Sequence, residues 1–427
     1  MGEDRKVSTA RVAAPKAGRP YGVLGERLGH TYTPVIYREL AGLEYVKFER
    51  KPEDVEAFIR GGGWEGVNVT IPYKKVVYGL VDELTPAARR LGNVNTVTRL
   101  EDGRLRGDNT DYYGFKTLVE SLGLDLDGKK AVVFGGHGGA GTTAMAVLSD
   151  LGMSPVAISR KGEDTYEGLA RHADAALAVN CTPAGMFPRC PDAPCTLEAL
   201  DRLEGVVDIV YNPARTGLLM EAERRGIPHA GGLLMLVAQA AQAVERYTGE
   251  AIAPERALEV TRLLSATEQN VVLIGMPGAG KTRVGQNLAK LTGRAFVDID
   301  HELESRLGAP CADFIRVNGE DAFRERETEA LADVCARSGQ VVSCGGGVVE
   351  RERNYPLLHQ NGFIVMLDRP LGELSSKGRP ISARDGVGAL AARRMPAYRA
   401  WADEVVASTD APAHTAQAVL ETLPPTL

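Results

Sequence analysis

Short apolar runs, each followed by a glycine-rich turn and then by apolar residues at helical spacing, recur along this chain of 427 residues. The run 131–134 precedes GGHGGAG and a helix predicted from about Thr142, and the run 271–274 precedes GMPGAGKT and a second helix. A short apolar run bounded by turn signals is typical of a buried strand. Strands that alternate with helices predict an α/β fold with mainly parallel sheets.

The N-terminal part has a different pattern, in which strands end in polar side chains. GVNVT alternates as a strand does and sets Asn68 and Thr70 on one face, and Lys74 follows at the start of a helix. The segment GNVNTVTRLEDGRLRGDNTDYYG predicts a hairpin with the turn EDG, with Asn95 at its start and Asp111 just past its end. Taken singly, each residue also suits an ordinary surface position. Clustered at neighbouring strand ends, they indicate a pocket for a polyhydroxylated substrate.

A chain of this length is expected to form roughly two to four domains. Three are predicted: a substrate-binding α/β domain over 20–115 and 232–264, a Rossmann domain over 116–231, and a P-loop α/β domain with a central parallel sheet over 268–427. The segment LLMLVAQAAQAVERY, within 232–264, has apolar residues at helical spacing.

Composition and charge exclude several classes of protein. The chain is 44% apolar and 25% charged with a net charge of −6, which argues against nucleic acid as a partner, because such a partner needs a concentrated basic face. No apolar run reaches the roughly 18 residues of a membrane span, and no secretory signal is expected. The six cysteines form no C-x-x-C pair, so we expect reduced thiols, a cytoplasmic protein and no bound transition metal.

The turn GGHGGAG has the form G-x-G-x-x-G between a predicted strand and a predicted helix. Such glycines allow a tight turn and let a pyrophosphate approach the backbone. The next strand ends in Ser159, Arg160 and Lys161, where an NAD enzyme usually has an acid. Arginine suits the 2′-phosphate of NADP by its charge and planar donors, so NADP is predicted, with an exposed basic turn as the alternative. The predicted loop positions are Gly136, Gly138, Gly139, Ala140 and Gly141.

The turn GMPGAGKT has the form G-x-x-x-x-G-K-T of a P-loop. In such a loop the backbone N–H groups cradle phosphates, the lysine reaches the β- and γ-oxygens, and the Thr hydroxyl binds Mg²⁺. The sequence therefore predicts a triphosphate, ATP, with Mg²⁺. The predicted binding positions are Gly278, Ala279, Gly280, Lys281 and Thr282.

Charged residues further along the chain predict a site for the phosphoryl acceptor. FVDID sets Asp298 and Asp300 on one face of a strand end, and GEDAFRERE sets Arg324 on a helix. GRP carries Arg379 on a loop, and RRMPAY supplies Arg394. The strand VVSC leads into three glycines whose backbone can touch a ligand, Gly345, Gly346 and Gly347. For any single arginine, a surface ion pair is the alternative.

Residues 20–264 resemble shikimate dehydrogenases, because NVTIPYK, VNT, DNTD and LVAQAA occur in the family's order. The resemblance implies that Lys74 is the catalytic acid or base, that Asp111 is its partner, and that Gly232 lies near the nicotinamide. It also makes NCTPAGM (180–186) a cofactor loop. The family's Ser-x-Ser, which holds the substrate carboxylate, is Thr-Tyr-Thr here, and this change leaves quinate open as a substrate. The implied substrate-binding residues are Thr31, Thr33, Asn68, Thr70, Asn95, Tyr211 and Gln239.

Residues 268–427 resemble shikimate kinases in GAGKT, D-x-D, G-E-x-x-F-R-x-x-E, GGG, RP and R-x-P-x-Y. The resemblance implies that Asp300 binds shikimate and takes the proton of its 3-hydroxyl, and that Arg324 and Arg394 clamp its carboxylate. Asp298 would help to hold Mg²⁺, and Arg379 would stabilise the transferring phosphoryl group. The segment RPLGELSSKG before Arg379 is shorter than in many members of the family.

The sequence therefore predicts a bifunctional enzyme of the shikimate pathway. One part would reduce 3-dehydroshikimate with NADPH, and the other would phosphorylate shikimate with ATP. Two alternatives remain: a quinate/shikimate dehydrogenase joined to the kinase, and a substrate-sensing regulator with inactive sites. The expected partners are small molecules, with neither nucleic acid nor membrane, and the sequence leaves the oligomeric state open.

Overall fold

A computed structural model describes residues 19–29, 32–374 and 386–424. The chain divides into two compact units. The first unit contains Met1–Ala184, Pro194–Tyr211 and Glu221–Arg262. The second contains Gly185–Ala193, Asn212–Met220 and Leu263–Leu427. The second unit thus includes two short segments that the sequence assigns to the Rossmann domain, and it begins before residue 268.

Strands and helices alternate through most of the described chain, as the apolar pattern predicts. The strands are β1 (Tyr21–Gly25), β2 (Tyr45–Glu49), β3 (Gly66–Val69), β4 (Glu83–Leu84), β5 (Thr96–Arg99), β6 (Leu105–Asp108), β7 (Lys130–Phe134), β8 (Ser154–Ile158), β9 (Leu177–Asn180), β10 (Gly205–Asp208), β11 (His229–Gly231), β12 (Asn270–Ile274), β13 (Ala295–Asp298), β14 (Gln340–Ser343), β15 (Gly362–Asp368) and β16 (Glu404–Ala407). The α-helices are α1 (Thr33–Ala41), α2 (Val55–Gly61), α3 (Lys74–Tyr78), α4 (Pro86–Leu91), α5 (Asp111–Glu120), α6 (Gly139–Asp150), α7 (Gly217–Arg224), α8 (Leu233–Thr248), α9 (Pro254–Glu268), α10 (Lys281–Thr292), α11 (Ile299–Leu307), α12 (Cys311–Asn318), α13 (Glu320–Cys335), α14 (Asn354–His359), α15 (Val387–Trp401) and α16 (Pro412–Thr422).

The first unit contains two sheets. One is mixed, with strand order β2-β1-β3-β5-β6-β4. In it the predicted hairpin β5–β6 pairs antiparallel, and β3 lies antiparallel to β5 so that Asn68 faces Thr96. The other sheet is parallel, with strand order β11-β10-β9-β7-β8. Strand β7 lies where the strand order reverses, which is where parallel α/β sheets bind ligands beyond their carboxyl ends.

The second unit is built on one parallel sheet with strand order β13-β14-β12-β15-β16. All five residues of β12 are buried, as expected for the central strand of a parallel sheet covered on both faces. The P-loop follows β12 and leads into α10. The P-loop therefore follows the carboxyl end of an inner strand of its sheet, as the glycine turn after β7 does in the first unit.

Two local predictions are wrong. Helix α6 begins at Gly139 rather than near Thr142, because the Thr142 N–H already donates to Gly138 O and closes the first turn of the helix. Asp300 does not lie on a strand end beside Asp298. Strand β13 ends at Asp298, whose carboxylate accepts from the N–H groups of Asp300 and His301 and so caps α11. Such an N-cap carboxylate ends the strand and starts the helix.

No helix among the described residues is long and apolar enough to cross a membrane. The six cysteines all lie within the described residues and form no disulfide with one another.

Candidate active sites

In the first unit, two helices begin with the residues predicted to carry acid–base chemistry. Lys74 is the first residue of α3 and Asp111 the first of α5. Lys74 Nζ lies 2.5 Å from Asp111 Oδ2, and the two side chains are 28% and 22% exposed. The pair is a charge-assisted hydrogen bond that fixes the ammonium group while leaving it reachable from solvent.

Asn95 lies directly before β5 in a network of buried threonines. Asn95 Oδ1 accepts from the backbone N–H of Thr110 at 2.7 Å and from the Thr96 hydroxyl at 3.0 Å. Because a backbone N–H can only donate, this atom of the amide must be the oxygen. The Thr110 hydroxyl also lies 3.2 Å from Gln239 Oε1, and Gln239 Nε2 donates to Leu236. The network therefore joins Asn95 and Gln239, both of which are predicted to bind substrate.

Asn68 is buried, and protein groups occupy both ends of its amide. Its Oδ1 accepts from the hydroxyls of Tyr37, Tyr45 and Tyr247 at 2.5, 2.7 and 2.9 Å. Its Nδ2 donates to Asn95 O and to the Thr96 hydroxyl. These bonds use every donor and acceptor of the amide, which leaves Asn68 no group for the substrate contact that the sequence predicts.

The other residues predicted to bind substrate lie close to strand ends. Thr70 follows β3, Tyr211 lies beyond β10, and both are partly exposed. The Tyr211 ring meets that of Tyr32 edge-on with centroids 5.6 Å apart, and Thr33 is the first residue of α1. Thr31 lies outside the described residues.

The turn after β7 requires glycine at two positions. Gly135 has φ +77°, a conformation that favours glycine. A Cβ on Gly141 would lie 2.1 Å from Gly135 O, so only glycine lets α6 pack this closely on the strand. The first N–H groups of α6, from Gly139 onwards, have no partner within the helix. They offer a binding site for a pyrophosphate.

Three further segments surround this turn at the carboxyl ends of the sheet. Arg160 and Lys161 are exposed after β8, and the Ser159 hydroxyl donates to Lys161 O at 2.5 Å. In NCTPAGM, Asn180 Oδ1 accepts from the N–H and hydroxyl of Thr182. A Cβ on Gly232 would lie 2.0 Å from Ile209 O, so glycine is required where α8 begins.

In the second unit, one cavity of about 850 Å³ contains most of the predicted kinase residues. Lys281 lines it and is held by the carbonyls of Gly275 and Met276 at 2.8 and 3.1 Å. Ala279, which belongs to the P-loop, is buried. Arg379 lies outside the described residues. The predicted residues that line the cavity are Gly278, Gly280, Lys281, Thr282, Asp300, Arg324, Gly345, Gly346, Gly347 and Arg394.

Thr282 and Asp298 are the residues predicted to hold Mg²⁺. The Thr282 hydroxyl donates to Asp298 Oδ2 at 2.8 Å. A P-loop hydroxyl beside a carboxylate is a donor set that Mg²⁺ uses together with phosphate oxygens, so these two residues fit the ion. Within the described part of the chain, no group of three or more His, Cys, Asp or Glu side chains is arranged to hold a metal.

The carboxylates of Asp300 and Glu327 both lie close to Gly345. A Cβ on Gly345 would lie 2.6 Å from Asp300 Oδ1 and 2.9 Å from Glu327 Oε1, so glycine is needed here. The surrounding protein displaces water from the Asp300 carboxylate, although the residue opens onto the cavity. This desolvation, followed by the nearby charge of Asp298, raises the pKa of Asp300. Burial likewise raises the pKa of Glu327.

Glu350, which the sequence reading missed, joins the two arginines predicted to clamp a carboxylate. It contacts Arg324 Nη2 at 2.9 Å and Arg394 Nε at 3.0 Å. Arg324 also pairs with Glu327 at 2.8 Å. The Tyr398 hydroxyl donates to Gly346 O and holds the glycine turn beside the arginines. No motif marks Glu350, because its role depends on a fold that brings the turn after β14 to α13 and α15.

A glycine turn on a parallel sheet, in the same unit as a Lys–Asp pair, is typical of a nucleotide-dependent dehydrogenase. A P-loop that shares a cavity with arginines and a carboxylate defines a small-molecule kinase. The comparisons with known proteins give both families. Residues 23–97 match the shikimate dehydrogenase substrate binding domain, and residues 277–424 match shikimate kinase.

Among curated proteins, the NADP(+) shikimate dehydrogenase of Geobacillus kaustophilus is 37% identical over 256 residues, covering 54% of this chain and 92% of that protein. Among solved structures, shikimate 5-dehydrogenase of Thermus thermophilus in complex with NADP(H) and shikimate is 30% identical with a TM-score of 0.51, covering 57% of this chain and 98% of that one. Quinate dehydrogenase of Corynebacterium glutamicum in complex with NAD is 25% identical with a TM-score of 0.52, covering 57% and 98%. The chain belongs to the shikimate dehydrogenase family and carries a shikimate kinase domain in its C-terminal part.

Proposed function

We propose that the first unit reduces 3-dehydroshikimate to shikimate with NADPH and that the second transfers the γ-phosphoryl group of ATP to the 3-hydroxyl of shikimate. The observation that carries the proposal is the cavity of the second unit, where a P-loop, a carboxylate of raised pKa and two arginines line one space. That combination suits an acceptor with both a hydroxyl and a carboxylate. Shikimate has both, and the first unit belongs to a family that is named for it.

In the reductase, the Lys74–Asp111 pair supplies acid–base chemistry. Bound NADPH supplies the hydride. As negative charge builds on the 3-keto oxygen, the Lys74 ammonium stabilises it and then donates a proton. Asp111 holds the ammonium in place through its 2.5 Å contact and accepts a hydrogen bond from a substrate hydroxyl. In the reverse direction, Lys74 takes the proton.

Cofactor choice rests on the turn after β8. Arg160 and Lys161 are exposed there, next to the strand that carries the glycine turn. A guanidinium and an ammonium at this place favour a 2′-phosphate over a free ribose hydroxyl. The helix N-terminus at Gly139 binds the pyrophosphate, and Gly232 lets the nicotinamide approach.

In the kinase, Asp300 takes the proton of the 3-hydroxyl while Arg324 and Arg394 bind the carboxylate of shikimate. The raised pKa of Asp300 makes it a stronger base than an ordinary carboxylate. Lys281 and the loop Gly278–Gly280 bind the phosphates. Thr282 and Asp298 would hold Mg²⁺, which neutralises charge on the β- and γ-phosphates. Arg379 stabilises the transferring group.

A coupled assay tests both steps. Purified full-length chain is given 3-dehydroshikimate and NADPH, and then ATP and Mg²⁺, while NADPH absorbance and ADP release are followed. Quinate with NADP and with NAD serves as the control, because threonines replace the family's Ser-x-Ser at positions 31 and 33. We expect shikimate 3-phosphate as the final product. Reaction with quinate at a comparable kcat/KM would favour the quinate/shikimate alternative, and absence of turnover in both assays would favour the regulator.

A further inference from the structure

Three tyrosine hydroxyls from three separate elements converge on one buried amide in the first unit. Tyr37 comes from α1, Tyr45 from β2 and Tyr247 from α8, and all three hydroxyls donate to Asn68 Oδ1. Burial raises the pKa of each hydroxyl above its ordinary value, so all three remain protonated donors. The oxygen end of Asn68 is therefore fixed, and its nitrogen must point the other way, towards β5.

The nitrogen end of Asn68 sets the direction of the hydrogen bonds beyond it. Nδ2 donates to the Thr96 hydroxyl at 3.0 Å, so that oxygen acts as an acceptor towards Asn68. The Thr96 proton is then available to the Thr110 hydroxyl at 3.1 Å or to Asn95 Oδ1 at 3.0 Å. With Thr110 N–H donating to the same oxygen, the Asn95 carboxamide can offer only its NH₂ group to a ligand.

We propose that Asn68 is a positioning residue: through Thr96 it adds a second donor to Asn95 Oδ1 beside the Thr110 N–H, and so helps to hold the Asn95 carboxamide with its N–H donor towards an oxygen of a hydroxylated, carboxylate-bearing substrate. The inference rests on the proposed reductase function. It differs from the predicted direct contact, because the amide of Asn68 is fully used by the protein. Thr96 has no exposed surface, so it too can act on the substrate only through its neighbours, of which Asn95 is one.

Two isosteric changes test the link. Asn68→Asp keeps the oxygen that the tyrosines bind but removes the amide donor, so Thr96 turns its proton towards the new carboxylate and Asn95 loses a donor. Thr96→Val removes the relay hydroxyl. For each variant we expect the KM for 3-dehydroshikimate to rise about 3- to 10-fold, as expected for one neutral hydrogen bond. The KM for NADPH should not change, and kcat should change little, because the lost interaction is made equally in the ground and transition states.

The double variant and a tyrosine variant separate positioning from general loss of structure. Since both changes break the same link, the double variant should raise KM by about as much as the larger single change rather than by the product. Tyr45→Phe leaves Asn68 Oδ1 two donors for its two lone pairs, so its KM should remain near that of the wild type. Reductase kcat and the KM for NADPH, measured on the same variants, report whether the first unit is folded, because Asn68 and Thr96 belong to that unit.

An unchanged substrate KM in Asn68→Asp and Thr96→Val would overturn the inference. If Asn68→Asp fails to fold, Thr96→Val alone decides the question in the same way. Wild-type chain without reductase turnover would instead refute the proposed function.

Discussion

At the scale of single residues, Lys74 and Lys75 provide a matched pair at the start of α3. Lys74 contacts Asp111, whereas Lys75 is exposed. We predict that Lys74→Ala lowers kcat of the reductase by about 10²–10⁴-fold, the range of general acid–base groups, and changes the substrate KM much less. Lys75→Ala should keep near-normal kinetics. Steady-state kinetics in both reaction directions check this, and near-normal turnover of Lys74→Ala would refute its assigned role.

Asp300 is the corresponding residue of the kinase. We predict that Asp300→Asn loses phosphoryl transfer but still binds ATP, because the carboxylate lies beside Gly345, in the part of the cavity that we assign to the acceptor. Calorimetric titration with a non-hydrolysable ATP analogue, alongside turnover, measures the two properties separately. Asp321→Asn, on a side chain that is 96% exposed, is the control. Weakened ATP binding with intact turnover would reverse the assignment.

The raised pKa of Asp300 also predicts a pH dependence. The base must be ionised, so kinase kcat should fall as the pH is lowered, with a midpoint above the roughly 3.9 of an ordinary aspartate. The free energy of unfolding depends on pH in the opposite direction to kcat. The folded chain binds this proton more tightly than the unfolded chain, so lowering the pH from the folded pKa towards the unfolded pKa adds stability. Asp300→Asn should therefore raise the melting temperature of the second unit at neutral pH, and the difference should shrink in acid.

At the scale of elements, the turn after β8 carries the test of cofactor choice. We predict that replacing Arg160 and Lys161 together by Ala raises the KM for NADPH and leaves that for NADH little changed, because only NADPH has the 2′-phosphate that these cations would bind. Lys130→Ala is the control, since Lys130 begins β7 at the amino end of the same sheet and pairs with Asp174. Equal losses with both cofactors would count against recognition of the 2′-phosphate.

Most elements could be predicted because each depends on its own residues. The strands before both glycine turns, the hairpin β5–β6 and the long helix α8 occur where apolar spacing and turn residues indicate them. The structure departs from the local pattern where a side chain elsewhere in the chain decides. Asp298 caps α11 and so ends a strand that the pattern would continue. The amide oxygen of Asn68 accepts hydrogen bonds from tyrosines that lie 31, 23 and 179 residues away in sequence. No local sequence pattern predicts such distant contacts.

At the scale of the whole molecule, each unit contains its own nucleotide turn and its own acid–base group. Lys74 and Asp111 belong to the first unit, and Lys281 and Asp300 to the second. Neither set includes a residue from the other unit. Two chains, each inactive in a different unit, should therefore complement one another if shikimate passes through solvent.

We accordingly predict that an equimolar mixture of Lys74→Ala and Asp300→Asn chains converts 3-dehydroshikimate to shikimate 3-phosphate, with a lag while free shikimate accumulates. Each variant alone should stop at one step: the first should phosphorylate only added shikimate, and the second should release shikimate. In the wild type, unlabelled shikimate added to labelled 3-dehydroshikimate should dilute the label in the product in proportion to its concentration. Label that resists dilution, or variants that fail to complement although each keeps its remaining activity, would mean that the intermediate is handed on within one chain. Shikimate is a small, charged, polyhydroxylated acid and is strongly hydrated. The reductase can release it to water as a product, and the kinase binds it from water through its hydroxyls and carboxylate, so transfer through solvent requires nothing beyond what each site already does.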